Sequence, residues 1–223
     1  MAISSDRDES QDEEKPSGPR EAAREARETL YREHVLGAAE QVFAEQGFEA
    51  AKVQDISRQA SLSMGSIYGL FAGKEQIFAA IVERRREEIL ALARHALAQG
   101  AAPAAQLDAL ARAYIAFFHA HPNFLRMHLR LGAAWATTAR MVASESHPVI
   151  VEILSLQTDL FRRGVEAGLF VEEDPAYLGA LFSGIDQIHL ANWVSSGMQE
   201  DLPSLQKRFV RLVRRVFHKP RPA

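Results

Sequence analysis

Apolar positions recur at helical spacing along nearly the whole chain, and β-branched runs with period two are absent. Leu30, Val35, Ala38, Ala39, Val42 and Phe43 share one face, which predicts a helix over residues 21–46 stopped by Gly47 and followed by the core residue Phe48. Short helices over 53–60 and 64–71 flank the tight connection Ser61, Leu62, Ser63. Two short helices around a three-residue turn make a helix-turn-helix candidate. Ile77, Phe78, Ile81 and Val82 then give a long helix over 74–99 its buried stripe, and Gly100 and Pro103 end it. Further helices are expected over 104–120, 122–134, 147–167, 175–196 and 203–217, separated by His121-Pro122, Gly168, Asp174-Pro175 and Gly197. The pattern over 134–146 is ambiguous. The expected fold is all-α: a three-helix domain over 21–74, a connecting helix over 75–100, and a bundle of about five helices over 101–223.

Composition narrows the class. The 223 residues are 47% hydrophobic with no Cys, so disulfides, thiolate chemistry and Cys-based zinc sites are excluded, which fits a reducing, cytoplasmic compartment. No apolar run approaches the ~18 residues of a spanning helix, so no membrane partner is expected. Residues 1–20 are rich in Ser, Asp, Glu, Pro and Gly and read as a disordered acidic tail. The net charge of −3 argues at first against nucleic acid, but it is patterned: residues 1–20 hold six acids and three bases, 21–74 eight and six, 75–201 fifteen and ten, and 202–223 none and seven.

In a helix-turn-helix the first short helix braces across the backbone while the second enters the major groove. Val53, Ile56, Ala60, Leu62 and Ile67 suit the packing between them; Ser63, Met64, Ser66 and Gly69 would face outward. From Val35 to Phe78 the residues Ala38, Ala39, Phe43, Ala44, Glu45, Gly47, Phe48, Val53, Gln54, Asp55, Ile56, Ala60, Ser63, Gly65, Tyr68, Phe71, Lys74, Glu75 and Phe78 fall in one register. That segment resembles the DNA-binding region of the TetR family of transcriptional repressors. The resemblance implies a double-stranded DNA operator contacted by Lys52, Ser63, Met64, Ser66, Tyr68, Gly69 and Lys74, with Tyr68 and Lys74 as phosphate contacts. The chain departs from the family at Ala51-Lys52, Ser61, Met64 and Gly69-Leu70, where common turn or phosphate residues are replaced; Lys52 restores one charge at a helix start.

The resemblance also implies a small-molecule effector inside the C-terminal bundle and a homodimer. Phe117, Phe124, His128, Trp135, Phe161, His189 and Trp193 are the large groups that could line a pocket for a small apolar effector, against the alternative that each is plain core. Asp186 and His189 share a face, and a buried polar group among aromatics either binds a neighbour or orients a ligand. The helix over 175–196 is apolar or small on most sides and so must be buried on more than one. With the last helix it would supply a four-helix interface through Phe182, Ile185, Phe209, Leu212 and Val216, and twofold symmetry would dictate a palindromic operator.

Other charged features have simpler readings. Arg84, Arg85 and Arg86 point to three sides of a helix and read as a solvated face. Lys207, Arg208, Arg211, Arg214, Arg215, Lys219 and Arg221 read as solvated and as complementing the last helix dipole. No catalytic motif is found: Gly73-Lys74 suggests a phosphate loop, but Glu75 stands where the magnesium-binding hydroxyl would be, and His119 and His121 diverge around a helix. No enzyme activity, cofactor or metal is therefore expected. The leading reading is a ligand-responsive repressor; the alternative is a non-catalytic helical sensor or adaptor that has lost specific DNA binding.

Overall fold

The computed structural model describes residues 18–98, 102–130 and 147–220. Among them the chain forms α1 (Pro19–Gln46), α2 (Val53–Ala60), α3 (Met64–Tyr68), α4 (Lys74–Ala98), α5 (Pro103–Ala120), α6 (Pro122–Arg130), α7 (Pro148–Glu166), α8 (Pro175–Ser195) and α9 (Leu202–Phe217). The all-α expectation, with an N-terminal helix-turn-helix and a C-terminal helical domain, matches. Differences lie at element ends. Helix α1 starts two residues before the predicted position because Pro19, whose missing N–H costs nothing there, sets the first turn. Helix α3 stops at Tyr68 rather than residue 71, as Gly69 and Leu70 close a turn onto Gly65 and Ile67 carbonyls. The acidic tail to residue 17 and the ambiguous stretch 131–146 lie outside the described residues.

One core joins both halves. In the N-terminal part Val35, Ala39, Val42 and Phe43 of α1 meet Ile56 of α2, Ile67 of α3, Phe71, and Ile77 and Ile81 of α4, all buried. Phe43, Phe48 and Phe78 form an aromatic cluster with ring centroids 4.9–5.8 Å apart. Helix α4 continues into the second half, where Ala93 and Ala96 pack with Leu107, Leu110 and Tyr114 of α5. Helices α7, α8 and α9 enclose Phe161, Phe182, Phe209 and Phe217. Phe170 seals the end of this group by lying directly on Gly164, where a Cβ would overlap the ring.

The α2–α3 turn carries a local strain. Ser61 takes the left-handed conformation (φ 52°, ψ 36°) that ends α2, a conformation unfavourable for a residue with a Cβ. The turn is nonetheless tied down: the Leu62 N–H donates to Ser57 O at 3.1 Å, and the Ser57 hydroxyl donates to Leu62 O at 2.6 Å. Ser61→Gly should therefore stabilise the chain by about 0.5–1 kcal/mol, raising Tm by ~2–3 °C in thermal melts; an unchanged or lowered Tm would contradict the strain argument.

Candidate nucleic-acid interface and effector chamber

Helix α3 presents small polar groups. The Ser63 hydroxyl caps it, accepting the Ser66 N–H at 3.1 Å, and shares a 2.8 Å hydrogen bond with the Ser66 hydroxyl. Ser63, Ser66, Tyr68 and Gly69 are exposed and Met64 is half-buried; Ser66 and Gly69 border the groove toward α1. Lys52 is exposed immediately before α2, its backbone N–H donating to Asp55 at 3.3 Å.

Lys74 is placed differently. Its ammonium donates to three carbonyls, Phe48 O at 3.0 Å, Glu49 O at 3.2 Å and Ala51 O at 3.4 Å, and sits 4.6 Å from the Phe48 ring centroid. An ammonium has three N–H donors, and all three are used in fixing the α1–α2 connection. A phosphate contact by this side chain requires giving up at least one of them.

The arginine triplet on α4 corrects the sequence reading of a solvated face. Arg85 points inward and binds Glu40 of α1 at 2.9 and 3.0 Å and Glu88 at 2.7 Å, with His121 at 3.4 Å. The Arg85 and Glu40 side chains are each only 11% exposed. Arg86 borders an internal chamber, while the Arg84 side chain is 40% exposed and pairs with Glu33 and Glu88. The reading failed because α4 has neighbours on several sides, α1, α5 and α7. The C-terminal basic run likewise departs from simple solvation: Arg208 pairs with Glu200 at 2.8 Å, Lys219 with Glu172 at 2.6 Å, and Arg214 with Asp108.

The chamber, about 90 Å³, lies between α4, α5, α6, α7 and α8. Tyr114, Phe118, Phe124, Ile150, Ile153 and Leu154 supply its apolar wall; His128, Gln157, Ser183 and Asp186 supply polar atoms. Ser183 donates to Gln157 Oε1 at 3.1 Å, and Gln157 Nε2 donates to the Tyr114 hydroxyl at 3.2 Å. Asp186 is 6% exposed, and its Oδ1 is buried without a hydrogen-bond partner. Burial raises its carboxyl to about 7 and pushes the His128 imidazole down to about 4. At neutral pH the wall is therefore largely apolar, with a neutral His128, a carboxyl near its midpoint and the Arg86 guanidinium at the border.

Of the residues expected at a pocket, Phe124 and His128 line this chamber. Phe117 packs on Phe118 and His121, Phe161 belongs to the cluster with Phe170 and Phe217, and Trp193 stacks on His119 and donates to Glu200 O at 3.2 Å. His189 lies 4.9 Å from the Phe209 ring, on the side of Ile185, Ile188 and Leu212 rather than at the chamber. Trp135 lies outside the described residues. Tyr114, Gln157 and Ser183 escaped sequence reasoning because each is an ordinary helix residue, and only packing brings α5, α7 and α8 together. On the outer face of α8 and α9, Ile188 (72% exposed) and Leu212 (37%) stand clear with half-buried Ile185 and Val216, whereas Phe182 and Phe209 are fully buried in the protomer and support that face from behind.

Helix α6 links the two regions. It carries Phe124 and His128 at the chamber, and at its end Arg130 donates to Glu45 O in the last turn of α1 at 3.2 Å. Among the described residues no helix is long and apolar enough to cross a membrane.

Residues 35–81 match the family model described as bacterial regulatory proteins, tetR family. The HTH-type transcriptional regulator UidR of Escherichia coli (strain K12) is 35% identical over 60 residues, covering 27% of this chain and 31% of UidR. The chain thus matches about a third of the length of that curated relative. Among solved structures, the fatty acid degradation regulator FadR from Bacillus halodurans superposes with TM-score 0.67 at 23% identity, over 89% of this chain and 96% of FadR. The ketosteroid transcriptional regulator KstR2 of Mycobacterium tuberculosis gives TM-score 0.68 at 21% identity, over 85% and 95%. At these identities the likeness establishes the fold.

Asp186 makes the chamber's burial measurable. With its carboxyl moved from the ordinary 3.8 to about 7, the folded chain keeps a proton that the unfolded chain has released, so stability from this group is full below about pH 4 and is lost as pH rises through 7. Asn has the same shape and no charge to bury. The advantage of Asp186→Asn over the parent should grow by roughly 3 kcal/mol between pH 5 and pH 8, measured by denaturant unfolding. A pH-independent difference would show that this carboxyl is solvated.

Proposed function

The chain belongs to the tetR family of bacterial regulatory proteins through residues 35–81, and on that premise we propose that it is a ligand-responsive repressor that binds a palindromic operator as a homodimer. A small apolar effector in the α4–α8 chamber releases it. Helix α6 carries this reading, because one nine-residue rod holds two chamber residues and an anchor on α1. An occupant that displaces Phe124 and His128 moves the Arg130–Glu45 tie, and with it the helix against which α2 packs. Two recognition helices must match half-sites one helical turn apart, about 34–36 Å, so a small rotation of each domain suffices for release. The effector need prefer the released state only by a few kcal/mol. The apolar wall of the chamber supports that effector class, as do fold neighbours described as regulators of fatty acid degradation and in complex with stearoyl-CoA.

In this reading Ser66, Met64, Tyr68 and Gly69 meet the DNA on α3, with Ser63 and Lys52 at the starts of the two short helices. Ile188, Leu212, Ile185 and Val216 form the dimer face. The alternative, a sensor or adaptor of this fold without operator binding, draws on one observation: α3 carries no cation and Lys74 is engaged within the domain. A mobility-shift assay with DNA flanking the chain's own coding sequence, at about 50 mM salt, separates the two. A shift abolished by excess salt and sharpened by sequence supports the repressor; dimeric protein that shifts no DNA supports the adaptor.

The dimer face has its own test. Ile188→Glu with Leu212→Glu places two charges on an exposed apolar patch within one protomer, leaving the monomer core untouched. Light scattering should report a monomer, and operator affinity should fall by about 100-fold or more as the half-sites are bound independently. A variant that stays dimeric would move the interface elsewhere.

A further inference from the structure

The region that should meet DNA is short of positive charge. Between residues 52 and 74 the cations are Lys52, Arg58 and Lys74; Arg58 pairs with Asp55 at 3.2 Å, and Lys74 is held by three carbonyls. Phosphate neutralisation dominates the affinity of proteins for DNA, so one exposed lysine per protomer is little for this task.

Helix α1 supplies what α3 lacks. Residues 20–34 are all exposed, and Val35 is the first buried residue of the helix. Residues 32–34 reach Leu70, Arg84 and Ala60, so about 18 Å of helix, residues 20–31 at 1.5 Å per residue, projects beyond the N-terminal core. Its direction is set at its base, where Arg32 donates to Leu70 O at 3.3 Å and lies 4.3 Å from the Phe71 ring centroid. The projecting part flanks α3 across an open groove of about 770 Å³, bordered by Arg20, Arg24, Arg27 and Tyr31 on one side and by Leu62, Ser66 and Gly69 on the other.

The spacing of these groups is informative. Arg20, Arg24, Arg27 and Tyr31 recur at intervals of four, three and four, which places them on one face. Glu21 and Glu25 turn away from that line; Glu28 borders the groove, and Glu21 approaches Arg24 only to 3.9 Å. Residues 20–34 hold four Arg and four Glu and are neutral overall, so the three arginines offer a local stripe facing the groove rather than a basic field. The groove's other wall is Ser66 and Gly69, residues of the helix turned to the operator in the reading above.

We propose that the projecting first turns of α1 form a second DNA-contacting element, in which Arg20, Arg24 and Arg27 bind the phosphate backbone bordering the half-site met by α3. This inference rests on the repressor reading. It assigns the bulk of the electrostatic affinity to α1 and leaves α3 to discriminate sequence through Ser66, Met64 and Tyr68.

The test uses the full-length dimer and a duplex carrying the site found by mobility shift, with affinity followed by fluorescence anisotropy from about 50 to 300 mM salt. Arg20→Ala, Arg24→Ala and Arg27→Ala are combined in one variant; Ala favours helix and none of the three side chains is buried, so the fold is retained, as circular dichroism will verify. Affinity should fall at least about 10-fold at low salt, and the slope of log affinity against log salt should flatten by about 0.9 for each phosphate no longer neutralised. Lysine at all three positions should restore the slope, because a phosphate accepts either cation. A parent that binds with an Ala variant of equal affinity and slope overturns this inference and leaves the repressor reading standing. An affinity loss without a change of slope, or one that lysine does not repair, overturns it equally. A dimeric parent that binds no DNA at all removes both.

Discussion

The buried pair between Arg85 of α4 and Glu40 of α1 is the contact on which the two halves depend. Breaking one partner of such a pair leaves a charge in a poorly solvated place, at a cost of about 3–5 kcal/mol. Around it converge Glu88, one helical turn along α4, and His121, where α5 gives way to α6. A single guanidinium thus fixes the α1–α4 approach and the start of the helix that carries two chamber residues. Because the pair is polar, it fixes direction as well as proximity: Nε and Nη2 of Arg85 both donate to Glu40 Oε2, which apolar contacts of the same area do not do.

That junction separates two kinds of surface. Toward the short helices, Lys74 is spent on internal carbonyls and Arg58 pairs with Asp55, Lys52 stays exposed, and the other outward groups are hydroxyls and a phenol. Toward the bundle, the polar groups Tyr114, Gln157 and Ser183 satisfy one another, while Asp186 keeps an oxygen without a partner. The Asp186 oxygen is thus a polar point without a hydrogen-bond partner in an otherwise largely apolar wall.

Helix positions and the turn were legible in the sequence because they rest on local periodicity and on punctuation by Gly, Pro and Ser. Gly47 ends α1 with φ 81° where the pattern placed a stop. Contacts between distant segments were less so. Arg85 was indistinguishable from Arg84 and Arg86, because only the packing of α1 onto α4 makes one of three consecutive arginines internal. Phe161 and Phe124 are equally apolar in the sequence, yet one lies in the closed core and the other at the chamber. Lys74 occupies the expected position in the motif, but its carbonyl partners lie 23 to 26 residues back in the chain.

The chamber's size carries a kinetic consequence. Ligand pockets for drug-sized molecules run to roughly 300–1,000 Å³, and this one is about 90 Å³. Any such molecule must wait for, or force, a wider arrangement of α6 and its neighbours. Apparent affinity is then the intrinsic affinity reduced by the fraction of time the wide arrangement exists. For the proposed repressor, small changes far from the ligand, at the packing of α6 on α1 for instance, would retune the response threshold without altering a single contact to the effector. In that reading, the packing that ties the chamber to the N-terminal domain also sets how much effector is needed.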